Sequence, residues 1–307
     1  MGTSEQRRAE LGTFLRARRS QLDRAAVGLP QAGRRRITGL RREEVATLSA
    51  VSVTWYTWLE QGRDVNPSRQ VLDALATTLR LSNTEHGYLL SLAGYTAAAA
   101  TPRPAPQAPA HVQRLMDHLH GMPAYAITHD WSICGWNQAY QALYPNVASV
   151  AAQDRNLLWL VFTDPFVRRL LPDWEITSRH FLAEFRAEAG TRLGDPDCAT
   201  LIQRLNTRSS EFAAGWSAHS VEGFASRRRA FLTPAGQLTF EHHRLAPADC
   251  KDIHLVIYMP ADADTAQRLI RLQECHHNVQ ERGPIVRSYA RRRLGPAGPD
   301  RSPSAGP

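Results

Sequence analysis

Lysine is almost missing from this chain. Of 37 basic residues in a length of 307, only Lys251 is a lysine and the rest are arginine. That bias also arises from a GC-rich genome, so by itself it does not signal phosphate recognition. Long apolar runs are missing too. The longest purely apolar stretch is residues 157–162, far short of the ~20 residues a membrane-spanning helix needs. No apolar core follows Arg7-Arg8, so no secretory signal is expected. Cysteine is sparse: Cys134, Cys198, Cys250 and Cys275 lie far apart with no C-x-x-C pair. Reduced thiols in a cytoplasmic protein are expected, not a disulfide framework. H-E-x-x-H and G-x-S-x-G are absent as well, so no enzyme activity is expected.

What is present is an uneven charge. The formal net charge is +8, and residues 1–95 carry 14 arginines against 9 acids. Residues 111–265 are mildly acidic, with 14 bases against 17 acids, while 266–307 return to 8 arginines against 3 acids. Basic ends around an acidic middle suit a nucleic-acid-binding head joined to a different kind of body. The length allows roughly two domains.

The stretch 40–62, LRREEVATLSAVSVTWYTWLEQG, predicts two short helices around a tight turn. Val45, Ala46 and Leu48 are the apolar residues of the first, and Ser52 is a good N-cap for the second. Tyr56 and Leu59, three apart, face inward together. The same rotation turns Thr54, Thr57 and Trp58 outward, with Val53 near the positive N-terminal end. A short exposed helix held by a partner is what reading the DNA major groove requires. An ordinary helical hairpin fits the pattern equally well.

The fixed spacing separates the two. Gly39-Leu40-Arg41-Arg42-Glu43-Glu44-Val45-Ala46, Val51-Ser52, Tyr56, residues 59–63, Pro67-Ser68 and residues 71–76 resemble the helix-turn-helix of the Xre/phage-repressor family of transcription regulators. The resemblance implies a five-helix DNA-binding domain over residues 1–95. Its expected DNA contacts are Arg34, Arg35, Arg36, Arg41, Arg42, Ser52, Val53, Thr54, Trp55, Thr57, Trp58, Asn66 and Ser68. The three consecutive arginines sit in a loop, where they either meet phosphates or are simply solvated. The chain departs from the family pattern at Ala50, where the turn commonly has glycine, so less strained backbone angles are expected there. Trp55 replaces a common Tyr and Trp58 a common Arg. Arginine pairs with guanine O6 and N7, whereas tryptophan offers one N–H and an apolar face.

Residues 96–110 hold four consecutive alanines, then Pro102, Pro104, Pro106 and Pro109. Proline stops helices and favours extended chain, so this is expected to be a linker. Beyond it, residues 111–122 predict a helix and 124–128 and 132–136 short strands. Helical patterns follow at 137–144, 155–162, 174–190, 197–205 and 210–219, then strands at 226–232, 238–245 and 253–259 with a turn at Pro234-Ala235-Gly236. Strands at both ends around helices indicate an α+β domain on one antiparallel sheet. The order Pro123-Ala124-Tyr125, Trp136-Asn137, Arg155-Asn156, Phe162, Asp164-Pro165, Trp174, Arg186, Leu205, Ser209, Phe212, Trp216, His219, Val221 resembles the MmyB-like ligand-binding domain. That resemblance implies a PAS-like fold over 111–265 with a pocket for a fatty-acid-like molecule. A Thr233-Pro234 pair stands where the family commonly has His-Pro.

Dense aromatics either line that pocket or form an ordinary core. The candidate ligand residues are Trp136, Asn137, Arg155, Asn156, Trp159, Phe162, Phe181, Phe185, Phe212, Trp216 and His219, with Arg186 and His180 as further polar candidates. An arginine in an apolar pocket suits a carboxylate. A rival reading collects His242, His243, Cys250, His254, Cys275, His276 and His277 around a metal, but adjacent strand residues point to opposite faces. No metal and no cofactor is therefore expected. The tail, 266–307, predicts a helix and then a disordered basic end; the helix packs on the body or on a second subunit. Together these point to a homodimeric regulator that binds double-stranded DNA and a small apolar or carboxylate ligand. A body that only dimerises is the alternative.

Overall fold

The structure is a computed structural model and describes residues 3–30, 39–95, 107–250 and 252–282. The head is all helix: α1 (Thr3–Gln21), α2 (Arg42–Leu48), α3 (Val53–Glu60), α4 (Arg69–Thr78) and α5 (Asn83–Leu92). Each of the last three starts on a serine, Ser52, Ser68 or Ser82, whose hydroxyl accepts a backbone N–H of the first turn. Leu11, Phe14, Leu15, Val45, Tyr56, Leu59, Leu72, Leu75, Tyr88 and Leu89 interlock in its core. Where α1 crosses α3, a Cβ on Gly12 would lie 2.5 Å from the Glu60 carbonyl oxygen. Only glycine allows that crossing.

The body begins on α6 (Ala110–Asp117). Ahead of it, the Ala108 N–H already donates to the Cys134 carbonyl at 2.7 Å. β1 (Ala124–Thr128) and β2 (Ile133–Trp136) follow, then α7 (Gln138–Leu143), α8 (Leu157–Thr163), α9 (Pro165–Leu170), α10 (Trp174–Ala189), α11 (Pro196–Arg208) and α12 (Ser210–Ser217). The chain then returns to the sheet as β3 (Arg227–Thr233), β4 (Gly236–Leu245) and β5 (Ile253–Pro260) and closes on α13 (Ala263–Arg282). The five strands form one antiparallel sheet in the order β2-β1-β5-β4-β3. The expected α+β body is therefore observed. In the β3–β4 hairpin Thr233 pairs with Gly236, so only Pro234 and Ala235 make the turn.

Period-two alternation splits the sheet. Ala124, Ala126, Ile253 and Leu255 pack with Val112 and Met116 of α6 in a small cluster. Tyr125, Ile127, Val256 and Tyr258 face the larger core against the helices. α13 packs on α7 and β4, with Leu269 and Leu272 buried, so the helix expected to open the tail lies against the body. Residues 283–307, where the disordered end was expected, lie outside the described residues. No described helix is long and apolar enough to cross a membrane.

Candidate DNA-reading face and ligand cavity

The reading helix is held from below by a buried carboxylate. Glu60, at the end of α3, is 2% exposed and accepts hydrogen bonds from Arg19 Nε at 2.5 Å and Arg42 Nε at 2.7 Å. Burial pushes its carboxyl up, but the two arginines more than offset this and hold it below the usual range. Tyr56 and Leu59 are buried beside it. The opposite face of α3 is open: Val53 and Trp58 are each 39% exposed, Thr54 is exposed and Thr57 half-buried. The Arg63 guanidinium sits 5.8 Å from the Trp58 ring. This is the two-sided helix that groove reading needs.

Several expected contacts have other duties. Arg42 spends its Nε on Glu60, and Trp55 is half-buried against the head core. The Ser52 and Ser68 hydroxyls cap α3 and α4, accepting from Trp55 N at 3.1 Å and Val71 N at 3.3 Å. Asn66 and Arg41 are exposed. Arg34, Arg35 and Arg36 lie outside the described residues. Ala50 overturns one expectation: its φ is 55°, so an alanine adopts the left-handed turn that the relatives give to glycine.

The aromatic set of the body does not converge on one cavity, and of it only Phe181 touches the enclosed space described below. Asn137 is fully committed to backbone: its Nδ2 donates to the carbonyls of Met116 and Met122 at 3.1 and 2.9 Å. Its Oδ1 accepts from Ala124 N and Tyr140 N. Asn156 caps α8 and donates to the Asp130 carbonyl. Both expected ligand contacts are instead fasteners. Arg155 donates to the Val150 carbonyl at 2.8 Å, with its charge 4.9 Å from the Trp136 ring. Trp159 lies under Arg204, and Phe185 packs edge-on to Trp131. Phe162, Phe212 and Trp216 run as a column, with Arg186 stacked 3.7 Å over the Trp216 ring.

That column ends at the junction with the head, which sequence reading missed. Arg186 is wholly buried and pairs with Glu10 of α1; it also donates to the Trp216 carbonyl. His219 Nδ1 is 3.2 Å from the same carboxylate, and Tyr88 Oη donates to it at 2.9 Å. Arg18 adds a bond to the His219 carbonyl at 2.6 Å and pairs with Glu85 at 2.8 Å. Burial pushes the Glu10 carboxyl up, but His219 and Arg186 bring it below the usual range. Arg186 and His219, expected at a ligand, therefore bind the head. Glu10 and Arg186 stand far apart in sequence, and no local pattern connects them.

The enclosed space lies elsewhere. A cavity of about 40 Å³ sits between Tyr140, Leu143 and Tyr144 of the α7 region, Leu160 and Val161 of α8, Phe181 of α10, and Arg229, Phe231 and Tyr258 of the sheet. Leu143 and Leu170 also line an open, largely apolar groove of about 520 Å³ that continues past Phe166, Arg169, Pro234 and Leu272. Arg229 is 7% exposed, lies 4.2 Å over the Phe181 ring and reaches Tyr258 Oη at 3.5 Å. It pairs with no carboxylate among the described residues. Nearby Glu184 is 2% exposed with Oε1 unbonded. Burial pushes its carboxyl up to about 7 although Arg229, Arg227 and Arg244 pull the other way. Tyr125 Oη and His242 Nε2 are likewise buried without partners, and burial holds His242 neutral. Three polar side chains of this core, Tyr125, Glu184 and His242, thus keep an atom without a hydrogen-bond partner. The strand pattern held the clue: alternation that turns Phe231 inward also turns Arg229 inward.

Comparison with known proteins places both halves. The MmyB-like transcription regulator ligand binding domain matches residues 108–272, and a helix-turn-helix domain matches residues 10–89. No curated protein matches the chain. The ligand-domain match takes in the first half of α13, consistent with its packing on the sheet. With an exposed reading helix at one end and a polar-lined core in the matched domain at the other, the chain belongs to the MmyB-like helix-turn-helix transcription regulators.

Proposed function

We propose that this DNA-binding regulator senses a small apolar molecule bearing a carboxylate, held by the body, and works as a homodimer. The observation that carries the effector reading is Arg229: a buried guanidinium without a carboxylate partner among the described residues, at an apolar cavity that shares Leu143 and Leu170 with an open groove. A ligand carboxylate would supply the missing counter-charge, and an apolar tail would follow Leu143 and Leu170 outward. On the DNA side, Thr54, Thr57 and Trp58 read base edges while Arg41 and Arg34 to Arg36 meet phosphates. One helix-turn-helix contacts few base pairs, so two copies on a pseudo-palindrome supply specificity.

The two halves communicate through α10, which carries Phe181 at the cavity and Arg186 at the head junction. A ligand changes DNA affinity only if it favours one arrangement of the heads over another. The Glu10–Arg186–His219 contact is the element through which it would do so. None of the junction residues lies on α3, so a docked head keeps its reading face exposed.

The test is mass spectrometry of small molecules released on denaturing the purified full chain, together with thermal shifts by long-chain carboxylates. A stoichiometric carboxylic acid, lost in Arg229→Met, supports the reading. Absence of any bound molecule and of any shift would leave a body that only dimerises. A monomeric mass in solution with and without operator DNA would remove the homodimer.

A further inference from the structure

A cluster remote from both the reading face and the cavity combines three kinds of metal ligand. His111 lies in the first turn of α6, and Asp249 and Cys250 lie in the loop between β4 and β5. His111 Nε2 is 3.1 Å from Asp249 Oδ2 and 3.6 Å from Cys250 Sγ, and the three donor atoms all lie within 4.8 Å of one another. We propose that these residues bind a divalent transition-metal ion of the zinc class.

The spacing is that of one coordination shell. With metal–nitrogen near ~2.0 Å and metal–sulfur near ~2.3 Å, tetrahedral angles separate nitrogen from sulfur by roughly 3.5 Å and nitrogen from oxygen by about 3.3 Å. Hydrogen bonding alone accounts poorly for the arrangement. A carboxylate only accepts, so without a cation both Nε2–H and the Cys250 thiol must donate to Asp249, and the 3.6 Å approach of Nε2 to Sγ is left without a bond of its own. A cation among the three satisfies all of them, with the thiol proton released to solvent. Thiolate and imidazole favour zinc-class ions over magnesium or calcium. The loop is braced for the purpose: Cys250 N donates to the Pro247 carbonyl and Ile253 N to the Cys250 carbonyl, at 3.2 and 3.0 Å. Three protein ligands leave a fourth position for water or a passing ligand. The ion would pin the first helix of the body to the β4–β5 loop, close behind the segment that joins head to body.

The site differs from the histidine-rich set that the sequence brought forward. Cys250 belongs to both, but its partners come from the start of α6 and from the adjacent aspartate.

The experiment uses the full chain, stripped with a chelator, reduced without added thiol and titrated with Co²⁺. One equivalent should give a sulfur-to-cobalt charge-transfer band in the near ultraviolet, displaced by Zn²⁺. Cys250→Ser should abolish the band. His111→Gln and Asp249→Asn should each weaken binding by more than about tenfold, since outer-sphere partners alone are worth about 10–100-fold. Cys275→Ser and His129→Gln should leave binding unchanged. Because the three side chains lie at the surface, the metal-free melting temperatures of the variants should match the parent, and Zn²⁺ should raise only the parent's. A band that survives Cys250→Ser, or no band in the parent at millimolar Co²⁺, overturns the proposal.

Discussion

Two buried charges show how differently the halves are built. In the head, Glu60 meets two arginines, and every piece of that clamp serves to hold α3 against α1 and α2. In the body, Arg229 is also buried but has only a tyrosine hydroxyl at the edge of hydrogen-bond range, beside a carboxyl pushed up to about 7. A satisfied network fixes one geometry, whereas a partly satisfied one costs stability and invites a partner. The head therefore reads as a rigid tool, and the body as the half whose buried charge is left less fully bonded.

The largest effect should come from breaking the finished clamp. Glu60→Leu strands Arg19, which is 14% exposed at its side chain, without a counter-charge, and frees Arg42. Losing one partner of a buried pair costs about 3–5 kcal/mol. The partial exposure of Arg42 places the expected loss near about 3. Arg229→Met should by contrast be neutral or stabilising without ligand, because it replaces an uncompensated charge by an apolar chain. Urea denaturation of the two variants measures both. A similar large loss in each would erase the contrast.

The second effect isolates the receptor side through pH. Glu184 titrates near 7 in the folded protein against 4.5 as the ordinary value. Below the lower value both folded and unfolded chains are protonated, and burial carries no charge penalty. As pH rises from there toward 7 the unfolded chain ionises first, so this residue takes stability away, and the loss is complete above 7. Glu184→Gln should therefore stabilise the protein by about 2–3 kcal/mol at about pH 8 and hardly at all near pH 4.5. A pH-independent effect would mean the carboxyl is not held neutral.

How much of this was legible in sequence follows from range. Caps, periodicity and turn chemistry are local, so the helix-turn-helix and the strand segments could be read, down to Ser52 as the start of α3. Asn137 and Asn156 show the limit of local reading: helical patterns drawn over 137–144 and 155–162 hide that the helices start one residue after each asparagine, whose side chain is the cap. Aromatic density says that a core is bulky but not which faces leave a gap. The gap formed where α7, α8 and β5 fail to close over Arg229, which depends on how elements more than a hundred residues apart are packed. The Glu10–Arg186 junction is hidden for the same reason.

A second pair of variants asks whether the rigid clamp serves an outward reader. Thr54→Ala should reduce discrimination between operator and random DNA by about 1–3 kcal/mol if its contact to a base edge is lost. Trp58→Arg should shift the preferred sequence toward guanine with the melting temperature nearly unchanged, because the ring is 39% exposed. Selection of binding sites from a random library reads the preference directly. A large drop in melting temperature in Trp58→Arg would show that the ring supports the head and does not read DNA.

The smallest effect sits inside the rigid half. Ala50 holds φ 55° in the turn between α2 and α3, a conformation in which its Cβ crowds the following carbonyl. Glycine carries no such strain there, but it gains freedom in the unfolded chain worth about 0.4–1 kcal/mol. Left-handed strain of about 1–2 kcal/mol exceeds that cost, so Ala50→Gly should stabilise the protein by roughly 0.5–1 kcal/mol. The Glu60 clamp lies below the far end of α3 and should keep the helix angle, so operator preference should not move. If Ala50→Gly stabilised the head and also changed which sequence it binds, the turn and not the clamp would be setting the reading angle.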